Sequence, residues 1–213
     1  MKTDDLITVL STNVEPVDRR QVVRELAAAV AIGTMVAVAT ILIFHGLRTD
    51  LDDLQAQGFL LLKLAFAVAV IISASICLVR LARPGGETRT RLTLTAWPFI
   101  GIAFLAAISL VFAPFWHLHT AVMGGRWLEC LISIPLIAVL PFVLVIWTLR
   151  RMAPTDLTHT GALAGLVAGG MSALGYALHC TSDSVPFIAL WYGGTIALCT
   201  LIGAVLGPRL LRW

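Results

Sequence analysis

The chain has 213 residues, 59% of them hydrophobic and only 13% charged, with a formal net charge of +3. Soluble globular chains run at about 45–50% apolar and about 25% charged residues. So few charges cannot cover a water-facing surface, which excludes a soluble enzyme and equally a disordered or collagen-like chain. No basic face is interleaved with aromatics, so direct nucleic-acid binding is not expected.

Residues 1–18 are the one sizeable polar segment. Thr3 can cap a short helix with Asp4 and Asp5 in its first turn, where the macrodipole favours negative charge. Leu6, Ile7 and Leu10 then share a face, and Ser11 to Pro16 breaks the pattern. A helix this short is marginal in water without a partner. Docking into the groove of a soluble protein, lying on the lipid interface, and disorder all remain open readings. Asp4 and Asp5 interrupt the start, so no cleavable signal peptide is expected. Asp18 has the character of an N-cap, with Gln21 at the third helical position and Val17 and Val22 as a hydrophobic staple. The first membrane helix is therefore predicted to begin near Arg19.

Crossing about 30 Å of hydrocarbon takes about 20 mostly apolar residues. Six stretches qualify: Leu26–Leu47, Gly58–Val79, Leu92–Ala113, Leu128–Leu149, Gly161–Cys180 and Phe187–Pro208. Continuous apolarity excludes a barrel of alternating strands, and lipid-exposed strand edges would leave backbone groups unpaired. The predicted fold is an all-α integral membrane protein, with a tail over residues 1–18 and a six-helix transmembrane domain over 19–213.

Orientation follows from the basic residues. Lys2, Arg19, Arg20 and Arg24 precede span one, and Arg80, Arg83, Arg89 and Arg91 lie between spans two and three. Arg150 and Arg151 follow span four, and Arg209 and Arg212 close the chain. These twelve of the fifteen basic residues fall on one side, leaving Arg48 and Arg126 on the other and Lys63 within span two. The positive-inside rule then places both termini in the cytoplasm.

Several features within the spans have plain structural readings. Lys63, the only charge of span two, is expected to snorkel to the interface. Gly161, Gly165 and Gly169 form a small-residue stripe that lets another helix approach closely. Pro135 and Pro141 are expected to kink span four. Trp116, Trp127, Trp191 and Tyr192 read as interfacial belt aromatics, and Cys77 and Cys199 as small buried hydrophobes.

Cys130 and Cys180 differ from the other two cysteines. Span four runs inward from Cys130 for about 20 residues and span five returns over about 20 residues to Cys180, so both thiols lie at one outer level. Helix axes normally stand about 8–10 Å apart, whereas a disulfide needs Cα atoms about 4.4–6.8 Å apart; the glycine stripe of span five would allow the closer approach. Four of the five histidines, His45, His117, His119 and His179, share that layer with Glu129 and Asp183. Thiolate and imidazole suit soft or borderline metals, so Cys130, Cys180, His179, Glu129, His117 and His119 are the candidate ligands of a transient heavy-metal site. A redox- or metal-responsive pair, a structural pair and two unrelated buried cysteines remain alternatives. No resident cofactor is required. No nucleotide loop, Ser-His-Asp order or intramembrane carboxylate relay is present, which points to a sensor in preference to an enzyme or a pump. A membrane thiol oxidoreductase and a small metal or solute transporter are the competing readings.

The sequence also carries a family likeness. Thr3-Asp4-Asp5-Leu6-Ile7 and Pro16-Val17-Asp18-Arg19-Arg20 resemble the start of the NrsF-type bacterial membrane proteins, the negative regulators of sigma F. Leu62-Lys63-Leu64-Ala65-Phe66-Ala67 and Cys130-Leu131-Ile132-Ser133-Ile134-Pro135 extend the likeness. So do Ala177-Leu178-His179-Cys180, Asp183-Ser184, Pro186-Phe187 and Trp191-Tyr192. The resemblance implies an anti-sigma factor of the bacterial inner membrane. It would hold an extracytoplasmic-function sigma factor and release it under heavy-metal or oxidative stress. The sigma contact would fall on Leu6, Ile7, Leu10 and Val14, and the family's paired outer cysteines would map onto Cys130 and Cys180.

Overall fold

A computed structural model describes residues 19–50, 52–82, 92–112, 122–152 and 154–212. The tail residues Leu6, Ile7, Leu10 and Val14 and the loop histidines His117 and His119 lie outside them. The described residues form six helices long and apolar enough to cross a membrane. We label them α1 (Arg19–Phe44), α2 (Leu54–Leu81), α3 (Trp97–Phe112), α4 (Trp127–Arg150), α5 (Leu157–Ala177) and α6 (Val185–Leu210). Each coincides with one predicted span.

Local chemistry sets the ends. α1 is described from Arg19 and closes on Gly46, whose φ of +74° is left-handed and whose N–H returns to the Ile41 carbonyl at 3.0 Å. Asp53 caps α2 by accepting from the Gln55 N–H, and Asp156 caps α5 by accepting from the His159 N–H. α5 therefore starts four residues earlier than the apolar pattern alone suggests, and it ends at Ala177, leaving Cys180 in the following connection. A 3₁₀ turn, Leu92–Ala96, leads into α3. α4 keeps its helical assignment through Pro135 and Pro141. α6 begins with one turn over Val185–Phe187, passes through a π segment at Ile188–Tyr192 and continues over Gly193–Leu210. The helices alternate in direction, giving two ends. One carries Arg48, Cys130 and Cys180, and the other carries Arg80, Arg150 and Arg209; we call these the cysteine end and the basic end.

α5 is the axis of the bundle and packs against α1, α2, α4 and α6. Its central stretch is 89% buried, against 11% for α3, which lies at the periphery with Phe104, Val111 and Phe112 directed outward. Without a hydrophobic drive between helices in lipid, small residues that admit close backbone contact decide which helix sits centrally. A side chain added at Gly165 would strike the Cys199 carbonyl, and one at Gly161 the Gly203 carbonyl. Gly203 and Gly207 answer from α6, whose own added side chains would strike the backbone of α5. The glycine stripe thus seats α6, and not α4, so it does not provide the closer approach between the helices of Cys130 and Cys180 expected of it. On its other faces α5 meets α1 at Gly175, where an added Cβ would lie 3.0 Å from the Ala37 carbonyl oxygen. It meets α2 at Gly170, 2.9 Å from Ile71. Cys199 and Cys77 are buried among these helices, as expected.

Gly165→Val should therefore be expensive. Backbone has to move to admit the side chain, at about 1–3 kcal/mol or more. Gly101 on α3 has open space around it, so Gly101→Ala should be neutral or stabilising by up to about 1 kcal/mol. Unfolding in mixed micelles compares the two; equal effects would contradict the packing described here.

Candidate functional site

The cysteine end is organised around a carboxylate. Asp183, in the connection between α5 and α6, receives Lys63 Nζ at 2.9 Å on Oδ1, and Arg48 Nη2 at 2.6 Å on Oδ2. Lys63 Nζ also donates to the Cys180 carbonyl at 2.9 Å. Arg48 Nε and Nη2 grip Asp50 at 2.7 and 2.9 Å, and the Arg48 N–H donates to the Leu178 carbonyl at 3.1 Å. Both cationic side chains are fully buried, whereas Asp183 is 18% and Asp50 42% exposed, so the cluster opens toward solvent on its acidic side.

Lys63 corrects an expectation. It does not snorkel, because the last connection lowers a carboxylate and a carbonyl onto it, and an ammonium satisfied inside the protein need not reach the interface. The hydrogen bond from Arg48 holds the Asp50 carboxyl below the usual carboxylate range, and Asp50 and then Asp183 hold the Arg48 guanidinium firmly protonated. Since Asp50 is lowered by folding, its contribution is complete at neutral pH. It is lost only as pH falls through its depressed value.

Beneath the cluster lie the thiols. Cys130 occupies the first turn of α4, and Cys180 closes the turn after α5, its N–H donating to the Tyr176 carbonyl at 3.0 Å. Both are completely buried and both are free thiols, within electrostatic reach of each other. The Tyr176 and Tyr192 hydroxyls are buried in the same region, Tyr176 with no hydrogen-bond partner among the described residues and Tyr192 beside the Cys180 side chain, and their ring centroids lie 6.1 Å apart. Tyr192 is thus no belt residue. The π segment turns it inward against Phe187, 6.5 Å away, while Trp191 stays at the rim, donating to the Val122 carbonyl at 2.9 Å and stacking on Trp127 at 5.0 Å.

His179 and Glu129 have other commitments. In the tautomer that fits both neighbours, His179 Nδ1–H donates to the Gly46 carbonyl at 3.2 Å and Nε2 accepts from Arg126 at 3.3 Å. Its ring meets His45 edge-on at 5.2 Å. Glu129 pairs with Arg126 at 3.5 Å on the exposed rim. No three His, Cys, Asp or Glu side chains converge as a metal site among the described residues. The sequence reading missed Lys63, Arg48 and Asp183 as a unit. The signal was there: a lone cation inside a span and a lone anion in a connection at the same level need each other in a medium of low dielectric.

Among the described residues these features define an all-helical bundle, with six helices long and apolar enough to span a membrane, two buried thiols at one end and a neutral cluster of two cations and two carboxylates above them. Family comparison places it further. The model of the family described as negative regulator of sigma F, NrsF, matches residues 10–213, and the chain belongs to that family. The probable anti-sigma-F factor NrsF of Azospira oryzae is 30% identical over the full length of both chains. The anti-sigma-F factor NrsF of Caulobacter vibrioides is 29% identical, also over the full length of both. No solved structure matches.

Removing one partner from a buried cluster costs more than removing a balanced pair. Asp183→Asn strands Lys63 and should cost about 3–5 kcal/mol, whereas Lys63→Met leaves Asp183 with Arg48 and should cost about 1 kcal/mol. Adding Lys63→Met to Asp183→Asn should restore most of the loss. Thermal unfolding in detergent reads all three variants, and a double variant no better than Asp183→Asn alone would contradict the charge argument.

Proposed function

We propose that the protein is an anti-sigma factor of the bacterial inner membrane that sequesters an extracytoplasmic-function sigma factor and releases it under heavy-metal or oxidative stress. Family membership supports the regulatory class. The observation that carries the finer reading is the separation of two chemistries along the bundle. The thiols are buried at one end, and the polar segment 1–18 precedes α1 at the end where basic residues collect. That charge bias supports a cytoplasmic basic end and cytoplasmic termini, with the cysteine end on the oxidising side.

In this reading Leu6, Ile7, Leu10 and Val14 form the apolar stripe that docks on the sigma factor. Cys130 and Cys180 are the sensor. An oxidant accepts two electrons and two protons as the thiols join, or a soft metal ion displaces the thiol protons and binds both sulfurs. Either event favours a different packing around the Cys180 turn and lowers the affinity of the tail for its partner, a population shift. Tenfold release needs only about 1.4 kcal/mol of coupling. His179 and Glu129 are poorer candidate ligands than the thiols, because both already pair with Arg126.

Two experiments in cells bear on this. Replacing both thiols, Cys130→Ser/Cys180→Ser, should abolish induction of a sigma-dependent reporter by cadmium or a thiol oxidant; unchanged induction would refute the sensor assignment. Deleting residues 1–16 should leave the reporter constitutively on, and persistent repression would remove the tail from the mechanism.

A further inference from the structure

The connection that follows α1 holds the thiol-bearing turn at four points. The Arg48 N–H donates to Leu178, the Gly46 carbonyl accepts from His179, the His45 ring meets His179, and the Arg48 guanidinium straddles both oxygens of Asp183 at 2.6 and 3.3 Å. All four lie within Leu178–Asp183, the segment that contains Cys180. Just below, the shaft of α1 is seated on α5. Gly175 abuts the Ala37 backbone, and Gly33 lies where an added Cβ would stand 3.0 Å from Met171 Sδ. At about 1.5 Å per residue, the 26 residues of α1 form a rod of about 39 Å whose far end meets the polar segment 1–18.

From this juxtaposition the geometry points to α1 as the element that carries the state of the thiol turn across the membrane, with Arg48 and Asp183 as the positioning pair that couples them. The inference rests on the sensing function proposed above and gives it a moving part. Lys63 supplies the fixed reference. It binds the same carboxylate from α2, so Asp183 sits between a helix that leads to the tail and a helix that does not. A change in the turn that withdraws Asp183 from Arg48 leaves the carboxylate with Lys63 and releases α1. Asp50, in the same segment as Arg48, accepts from its guanidinium at 2.7 and 2.9 Å and balances its charge.

The test uses full-length protein in nanodiscs, with no sigma factor present, and reads amide hydrogen exchange along α1. Arg48→Met should speed exchange about fivefold or more in the first turns of α1, residues 19–25, at the opposite end from the substitution. Arg48→Lys, which keeps a cation but loses the two-pronged grip, should fall between wild type and Arg48→Met. Changes confined to residues 45–50 and 178–184 would overturn the proposal. If Arg48→Met does not fold, Arg48→Lys carries the same comparison. Because exchange is read without a partner protein, a failure of this coupling and a failure of the sensing function in the reporter assay are separate results.

Discussion

Burial of two cations against a single carboxylate is the constraint on which the cysteine end depends. Lys63 and Arg48 are removed from solvent, and both end on Asp183. A charge in a medium of low dielectric is tolerable only when paired and hydrogen-bonded, so the connection bearing Asp183 has to lie over α2 and beside the α1 exit. Once it does, the Cys180 carbonyl falls to Lys63, and the turn carrying the thiol is fixed from three sides. Asp50 completes the charge balance from the more exposed edge, leaving the cluster neutral overall.

Below this cap the fold is held by shape instead of charge. The glycines of α5 and α6 bring two backbones into contact along a seam that no larger side chain could enter. Interhelical packing of this kind involves no titratable group. A rigid seam next to a charged, partly hydrated cap is a division suited to signalling, because the cap can change partners while the seam keeps its register.

Much of this was legible in the residues. All six spans appear in sequence, because length and apolarity decide spanning segments with little help from tertiary context. Asp156 added a turn to α5 that hydropathy does not see, since a cap is polar by nature. The glycine stripe announced a close neighbour but could not name it: the complementary Gly203 and Gly207 lie in α6, and pairing between helices is a property of the assembled bundle. Lys63 and Tyr192 were misplaced for a related reason. A charged or amphipathic residue near a helix end normally belongs at the interface, and only a partner from a distant connection, or a π turn that rotates the ring inward, overrides that rule. Cys130 and Cys180 emerged as a pair from helix lengths alone, and both are found buried at the same end.

The chain belongs to a family of negative regulators of sigma F, and its architecture gives that class a physical form: a thiol end, a rigid middle and a tail-bearing end. The proposed function depends on communication between the two ends. Its most direct test is the affinity of the full-length protein in nanodiscs for its purified sigma factor, titrated with the thiols reduced and again after oxidation of Cys130 and Cys180. A loss of affinity of about tenfold or more on oxidation is expected, corresponding to at least ~1.4 kcal/mol of coupling between the two ends. Equal affinity in the two states would contradict it.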